Sequence, residues 1–101
     1  MATRFTPRHA ERGVPGTPFE PRYTQQFATD LRKLEPAVQE RILRAIETKL
    51  LLDPFRHGRK LTGKSGPGRW RFRVGDYRIR FDMEGRLLLF YRVRHRREIY
   101  E

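Results

Sequence analysis

No cysteine occurs in the 101 residues. Disulfide staples, zinc–thiolate sites and thiol nucleophiles are therefore excluded, and a reducing cytoplasm is the compartment expected. No apolar run approaches the ~18 residues of a spanning helix, so no membrane partner is expected. The arginines near the N-terminus are followed by no apolar stretch, which argues against a secretory signal. Carboxylates are few and dispersed: Asp76, Glu84 and Glu98 fall in turns and tail. No acidic cluster invites a metal, so metal-assisted hydrolysis is disfavoured and no cofactor is expected. The glycine-rich stretch Phe55 to Gly68 has no Walker spacing and is not read as a nucleotide site. Lysine is scarce as well: of 23 basic residues only Lys33, Lys49, Lys60 and Lys64 are lysine.

What is present is arginine. Twelve acids leave a net charge of +11, and 35% of residues are charged. Such an excess points to a polyanionic partner. Arginine suits bidentate contacts to phosphate, although a compositional bias of the genome would also enrich it. The length fits one domain with a modest core, about one sheet and one helical layer.

Residues 1–18 carry Arg4, Arg8 and Arg12 among prolines and glycines with no apolar period, and read as a basic disordered arm. Residues 19–101 read as the folded domain. Phe19 to Tyr23 suits a short edge strand, the only kind that tolerates Pro21. Thr24 is an N-cap for a helix over Gln25 to Leu34 with an apolar stripe of Phe27, Leu31 and Leu34. Pro36 starts a second helix. Its apolar face runs through Val38, Ile42, Leu43, Ile46, Leu50 and Leu51 and stops at Asp53-Pro54. The two helices are expected to form a hairpin covering a sheet. Phe55 to Gly68 reads as a basic loop. Three strands follow: Trp70 to Val74, Tyr77 to Phe81, and Leu87 to Val93. Turns at Gly75-Asp76 and Glu84-Gly85 separate them. The last strand is the most apolar and is expected to be central. The fold class is α+β: an N-terminal helical hairpin packed on a small antiparallel β-sheet.

Alternation sets the chemistry. If Trp70, Phe72, Val74, Tyr77, Ile79 and Phe81 pack under the helices, Arg71, Arg73 and Arg78 point together to the other face. Guanidiniums on strands ~4.8 Å apart repel unless an anion or water lies between them. The arrangement fits an anion site, against the plainer reading of a solvated face. Lys60, Lys64, Arg69, Arg80, Arg94, Arg96 and Arg97 would extend it along RNA. His95 lies in a basic C-terminal run with Tyr100 near it in sequence. A lone histidine is often structural. Here it is also the candidate acid or base for attack of a ribose 2′-OH on its own 3′ phosphate. Arginine stabilises the growing phosphate charge but stays protonated. Tyr100 would position the hydroxyl or stack on a base.

The segments KLTG (Lys60 to Gly63), GRWRFRVGDYRIRF (Gly68 to Phe81) and RVRHRREIY (Arg92 to Tyr100) resemble the RelE/ParE superfamily of toxin–antitoxin pairs. The resemblance spans roughly Phe19 to Glu101. It implies a RelE-like α+β domain, held inactive by a cognate acidic antitoxin in a hetero-oligomeric complex. For a RelE-type member it implies a messenger-RNA endonuclease acting in the ribosomal A site, against RNA and ribosome. For a ParE-type member it implies inhibition of DNA gyrase, and a third possibility is RNA docking without cleavage. The family's functional positions match at Arg71, Arg73, Arg78, His95 or Arg96, and Tyr100. Several RelE-type enzymes carry lysine or glutamate on the first long strand. Arg71 and Arg73 depart from that pattern and shift the proton-transfer role toward His95.

Overall fold

Thr24 begins the first helix. Its backbone is extended and its hydroxyl accepts a hydrogen bond from Phe27 N at 3.1 Å, which satisfies one of the free N–H groups of a helix start. The computed structural model describes residues 17–63 and 66–98. Of the basic arm read at 1–18, only Thr17 and Pro18 are among them, and Lys64 and Tyr100 lie outside them. Strand β1 (Glu20–Tyr23) precedes helix α1 (Gln25–Arg32), and helix α2 (Pro36–Ala45) follows. Pro36 occupies the first turn of α2, where its missing N–H costs nothing. The helical path widens into a π-turn at Ile46–Leu50, where Leu51 N donates to Ile46 O. That widening lets the neighbours Leu50 and Leu51 both be fully buried.

The stretch read as a basic loop contains two short elements. Asp53 caps a four-residue helix α3 (Pro54–His57) by accepting from Arg56 N at 3.1 Å. Strand β2 (Arg59–Lys60) then pairs with β3 (Trp70–Val74). Strands β4 (Tyr77–Glu84) and β5 (Leu87–His95) complete a five-stranded sheet in the order β1-β5-β4-β3-β2. Each of the two hairpins turns through a glycine with positive φ, Gly75 at 59° and Gly85 at 61°. β1 lies at the edge, as Pro21 requires, but parallel to β5. The sheet is therefore mixed rather than antiparallel throughout. β5 is interior, flanked by β1 and β4, while β4 holds the middle. The fold is mixed α+β, a five-stranded sheet with three α-helices.

The core lies between the helices and one face of the sheet. Phe27, Leu31, Ile42, Ile46, Ile79, Phe81, Leu88 and Phe90 are completely buried, each contributing roughly 1.5–3 kcal/mol by burial. Tyr23 stacks on Phe27 at 5.0 Å and on Phe90 at 5.2 Å. No helix among the described residues is long and apolar enough to cross a membrane.

A bulge in β5 decides where its side chains point. Arg80 pairs with Arg92 but Phe81 pairs with Phe90, so Tyr91 has no opposite number. Helix α1 holds this bulge from both ends. The Thr24 hydroxyl donates to Tyr91 O at 3.2 Å, and the Asp30 carboxylate accepts from Val93 N at 3.1 Å. The backbone groups that a bulge takes out of the ladder are thereby satisfied.

Candidate nucleic-acid interface

Burial of Phe72, Val74 and Ile79 sends the alternate residues of β3 and β4 to the face away from the helices. The register then lines arginines up across strands. Arg59 pairs with Arg71 and Arg71 with Arg80; one step along, Arg73 pairs with Arg78 and Arg78 with Arg94. Two transverse rows of guanidiniums result, with neighbouring strands ~4.8 Å apart. The expected union of Arg71, Arg73 and Arg78 on one surface is therefore present.

Like charges crowd on that surface. Partial burial, together with repulsion from Arg73, Arg71 and Arg96, lowers the pKa of Arg78 against the pull of Asp76. Arg78 stays charged, and a bound anion would offset the repulsion. The Nε of Arg71 is buried and has no hydrogen-bond partner among the described residues. Arg78 makes only a long bond from Nη1 to Gly75 O, 3.4 Å. Sulfate or phosphate is accordingly expected to raise the melting temperature more than chloride at equal ionic strength. The difference should vanish in an Arg71→Gln/Arg78→Gln double variant; an equal response in both proteins would disprove anion capture there.

The remaining sequence candidates divide. Arg94 and Arg96 flank the rows, within reach of rim carboxylates: Arg94 to Glu98 at 4.0 Å and Arg96 to Asp76 at 3.8 Å. Arg97 and Arg69 are exposed. Arg80 is half-buried and bonded to the chain's own backbone, with Nε donating to Gly68 O at 2.6 Å. Nearby, Asp82 accepts from Gly68 N at 2.9 Å and Arg69 N at 2.8 Å, which fixes the entry to β3. Burial and the adjacent carboxylates Asp82 and Glu84 raise the pKa of Tyr91, which hydrogen-bonds Asp82. The arginine rows thus end against an acidic corner. Lys60 pairs with Trp70, so the alternation sets it on the helix side of the sheet at its β2 edge.

His95 does not join the arginines. The bulge shifts the alternation so that Val93 is buried and His95 shares its face. The imidazole meets Tyr77 edge-to-face at 5.2 Å, on the side opposite Arg78 and Arg94. Its Nδ1 accepts from Arg97 N at 3.1 Å, and its backbone N donates to Glu98 Oε1 at 3.2 Å. These bonds hold the 3₁₀ turn Arg96–Glu98. The His95 imidazole thus lies off the arginine face.

Two basic residues were not singled out from the sequence. Arg59 heads the first row, but its strand is two residues long and shows no period. Arg41 on α2 lies over the β3–β4 turn: a Cβ on Gly75 would sit 2.5 Å from its Nη2. Only the tertiary fold brings helix and turn together. Among the described residues no group of three or more His, Asp or Glu is placed to hold a metal.

Comparison with known proteins agrees with this architecture. A chain of the RelBE2 toxin–antitoxin complex from Mycobacterium tuberculosis is similar, with a TM-score of 0.71 at 24% identity, over 79% of this chain and 93% of that one. A chain of the RelB–RelE antitoxin–toxin complex from Methanococcus jannaschii gives 0.60 at 26% identity, over 78% and 94%. A chain of the archaeal RelE–RelB complex from Pyrococcus horikoshii OT3 gives 0.57 at 22%, over 78% and 96%. No curated protein matches by sequence. The family model of the ParE toxin of type II toxin–antitoxin systems, parDE, matches residues 22–100. That span contains both arginine rows and the bulged strand, and with it the chain belongs to this toxin family within the RelE/ParE superfamily.

Proposed function

We propose that this toxin acts on RNA and cuts it without a metal. The observation that carries the reading is the pair of arginine rows, with the partnerless Arg71 Nε and the crowded guanidinium of Arg78 at their centre. In the reaction a ribose 2′-oxygen attacks the adjacent phosphorus and gives up its proton. The bond to the 5′-oxygen breaks and that oxygen takes up a proton. The products are a 2′,3′-cyclic phosphate and a 5′-hydroxyl end. Arg71, Arg73 and Arg78 serve the non-bridging oxygens, where charge grows in the transition state. Tyr100, matched by the superfamily resemblance, is the proton-transfer candidate. His95 acts through the turn that precedes it. The helices α1 and α2, read as a hairpin, cover the opposite side of the sheet and leave the arginine face open.

The target that suits a basic face on a small toxin is messenger RNA in the ribosome, where ribosomal RNA adds phosphate contacts. An acidic antitoxin segment would inhibit by occupying the same arginines in a hetero-oligomeric complex in the cytoplasm, as the similarity to antitoxin-bound toxins supports.

A second reading, inhibition of DNA gyrase by binding alone, is favoured by two observations. The matching family is that of ParE, and the described arginine rows include no imidazole. Mapping RNA 5′ ends after a short pulse of expression separates the two. Cuts within translated codons, lost in Arg78→Ala, support the nuclease. Intact messages together with double-strand DNA breaks support the gyrase reading and end the nuclease proposal.

A further inference from the structure

Among the described residues two large apolar side chains are exposed, Leu52 at 47% and Phe55 at 66%. Phe55 is not loose. Its ring meets Phe19 at 6.3 Å and 71°, and Trp70 at 5.9 Å and 81°. Trp70 in turn packs on the buried Phe81 at 6.0 Å. An aromatic ring braced from two sides and two-thirds open to water costs solvation unless a flat partner covers it.

The charge around the ring decides the kind of partner. Arg56, Arg59 and Lys60 are all exposed and lie within five residues of Phe55. Asp53, the acid closest in sequence, already accepts from Arg56 N. The apolar core of a protein–protein contact is depleted of charge. A ring packed on Trp70, whose pairing partner Lys60 is an exposed cation, instead fits a single-strand nucleic-acid site, where bases stack and phosphates follow the basic groove. Arg59 joins the two features: it is four residues from Phe55 and pairs with Arg71 at the head of the first row.

We infer that Phe55 is a stacking platform for an unpaired nucleobase, on a strand whose phosphates pass Arg59 onto the rows of Arg71 and Arg78. The inference rests on the RNA reading above and names where the strand leaves the arginine face: round the β2 edge of the sheet. It also assigns a role to the exposed ring of α3 that cleavage chemistry does not require.

The test uses the full chain and a single-stranded 2′-O-methyl oligonucleotide carrying one 2-aminopurine. Methylation removes the attacking hydroxyl, so the probe survives. Wild type is expected to bind it and quench the fluorophore. Phe55→Ala should weaken binding by about 5- to 150-fold and abolish the quench, while Phe55→Trp keeps both. The exposure of Phe55 leaves the alanine variant folded, which thermal melting verifies. Unchanged binding in Phe55→Ala, with loss in Arg78→Ala, overturns the platform and leaves the RNA reading standing. No binding by wild type at low salt overturns both. If Phe55→Ala lowers affinity for an acidic antitoxin peptide only, the patch is a protein-docking surface and the inference is wrong.

Discussion

Asp30→Ala is expected to cost about 2–3 kcal/mol of folding stability, read as a drop in the urea midpoint at unchanged slope. Asp30 is 8% exposed and is the one buried charged residue among those described. Its carboxylate accepts from Arg92 Nε at 2.8 Å, Arg92 Nη2 at 3.3 Å, Val93 N at 3.1 Å and Gln26 Nε2 at 2.9 Å. The donors do not lose equally when it goes. The Arg92 side chain is 41% exposed and can turn to water. The Val93 N–H cannot, because its residue is paired with Ile79 of β4 and is 4% exposed. The stranded backbone group therefore dominates the loss, and Arg92→Ala should cost less, about 1 kcal/mol. Equal losses in the two variants would mean that the ion pair, not the bulge, is what Asp30 serves. The consequence reaches function, since the bulge sets the parity of β5 and so keeps Arg94 on the arginine face and His95 off it.

That bulge also marks where the sequence stops being readable. Helix starts at Thr24 and Pro36, the glycine turns, and the alternation of Arg71, Phe72, Arg73 and Val74 follow from local rules. A capping hydroxyl, a fixed φ and a two-residue period each act within a few residues. In β5 the signal fades, because Leu87 to Tyr91 are apolar without interruption and hide the alternation. The buried set Leu88, Phe90 and Val93 steps by two and then by three. The residue that compensates the extra step, Asp30, is 63 positions away in sequence. A regular period run on from Leu88 and Phe90 would put His95 on the arginine face, and the bulge puts it on the other. Arg59 escaped for a related reason: a two-residue strand has no period to read, and its membership in the first row exists only through pairing with Arg71. The arginine face was legible where alternation and a tight turn carried it across β3 and β4, and illegible where a bulge or a two-residue strand hid the period.

Arg78→Ala is expected to slow cleavage of ribosome-bound messenger by about a hundredfold or more, with the fold intact. Three physical effects act at this position, and they separate. On the nuclease reading, the first is the guanidinium's stabilisation of charge on the scissile phosphate, which acts only when RNA is present and which alanine removes. The second is repulsion from Arg73, Arg71 and Arg96, which exists only when RNA is absent and which alanine relieves. The third is the long bond to Gly75 O at 3.4 Å, too weak to hold the hairpin. Relief of repulsion offsets the lost bond, so the melting temperature of the free protein should stay level or rise slightly. Arg78→Lys divides the first effect further: it keeps a point charge but loses the planar fork that engages two phosphate oxygens. Binding at low salt should then remain near wild type while the cleavage rate recovers only in part. In Arg78→Ala the slope of log affinity against log salt should fall by about one, the share of a single phosphate contact. A variant that melts early would place Arg78 among the residues that hold the sheet together. A variant that cuts at the wild-type rate would move the chemistry off the second row, leaving those guanidiniums to grip RNA or antitoxin without taking part in bond breaking.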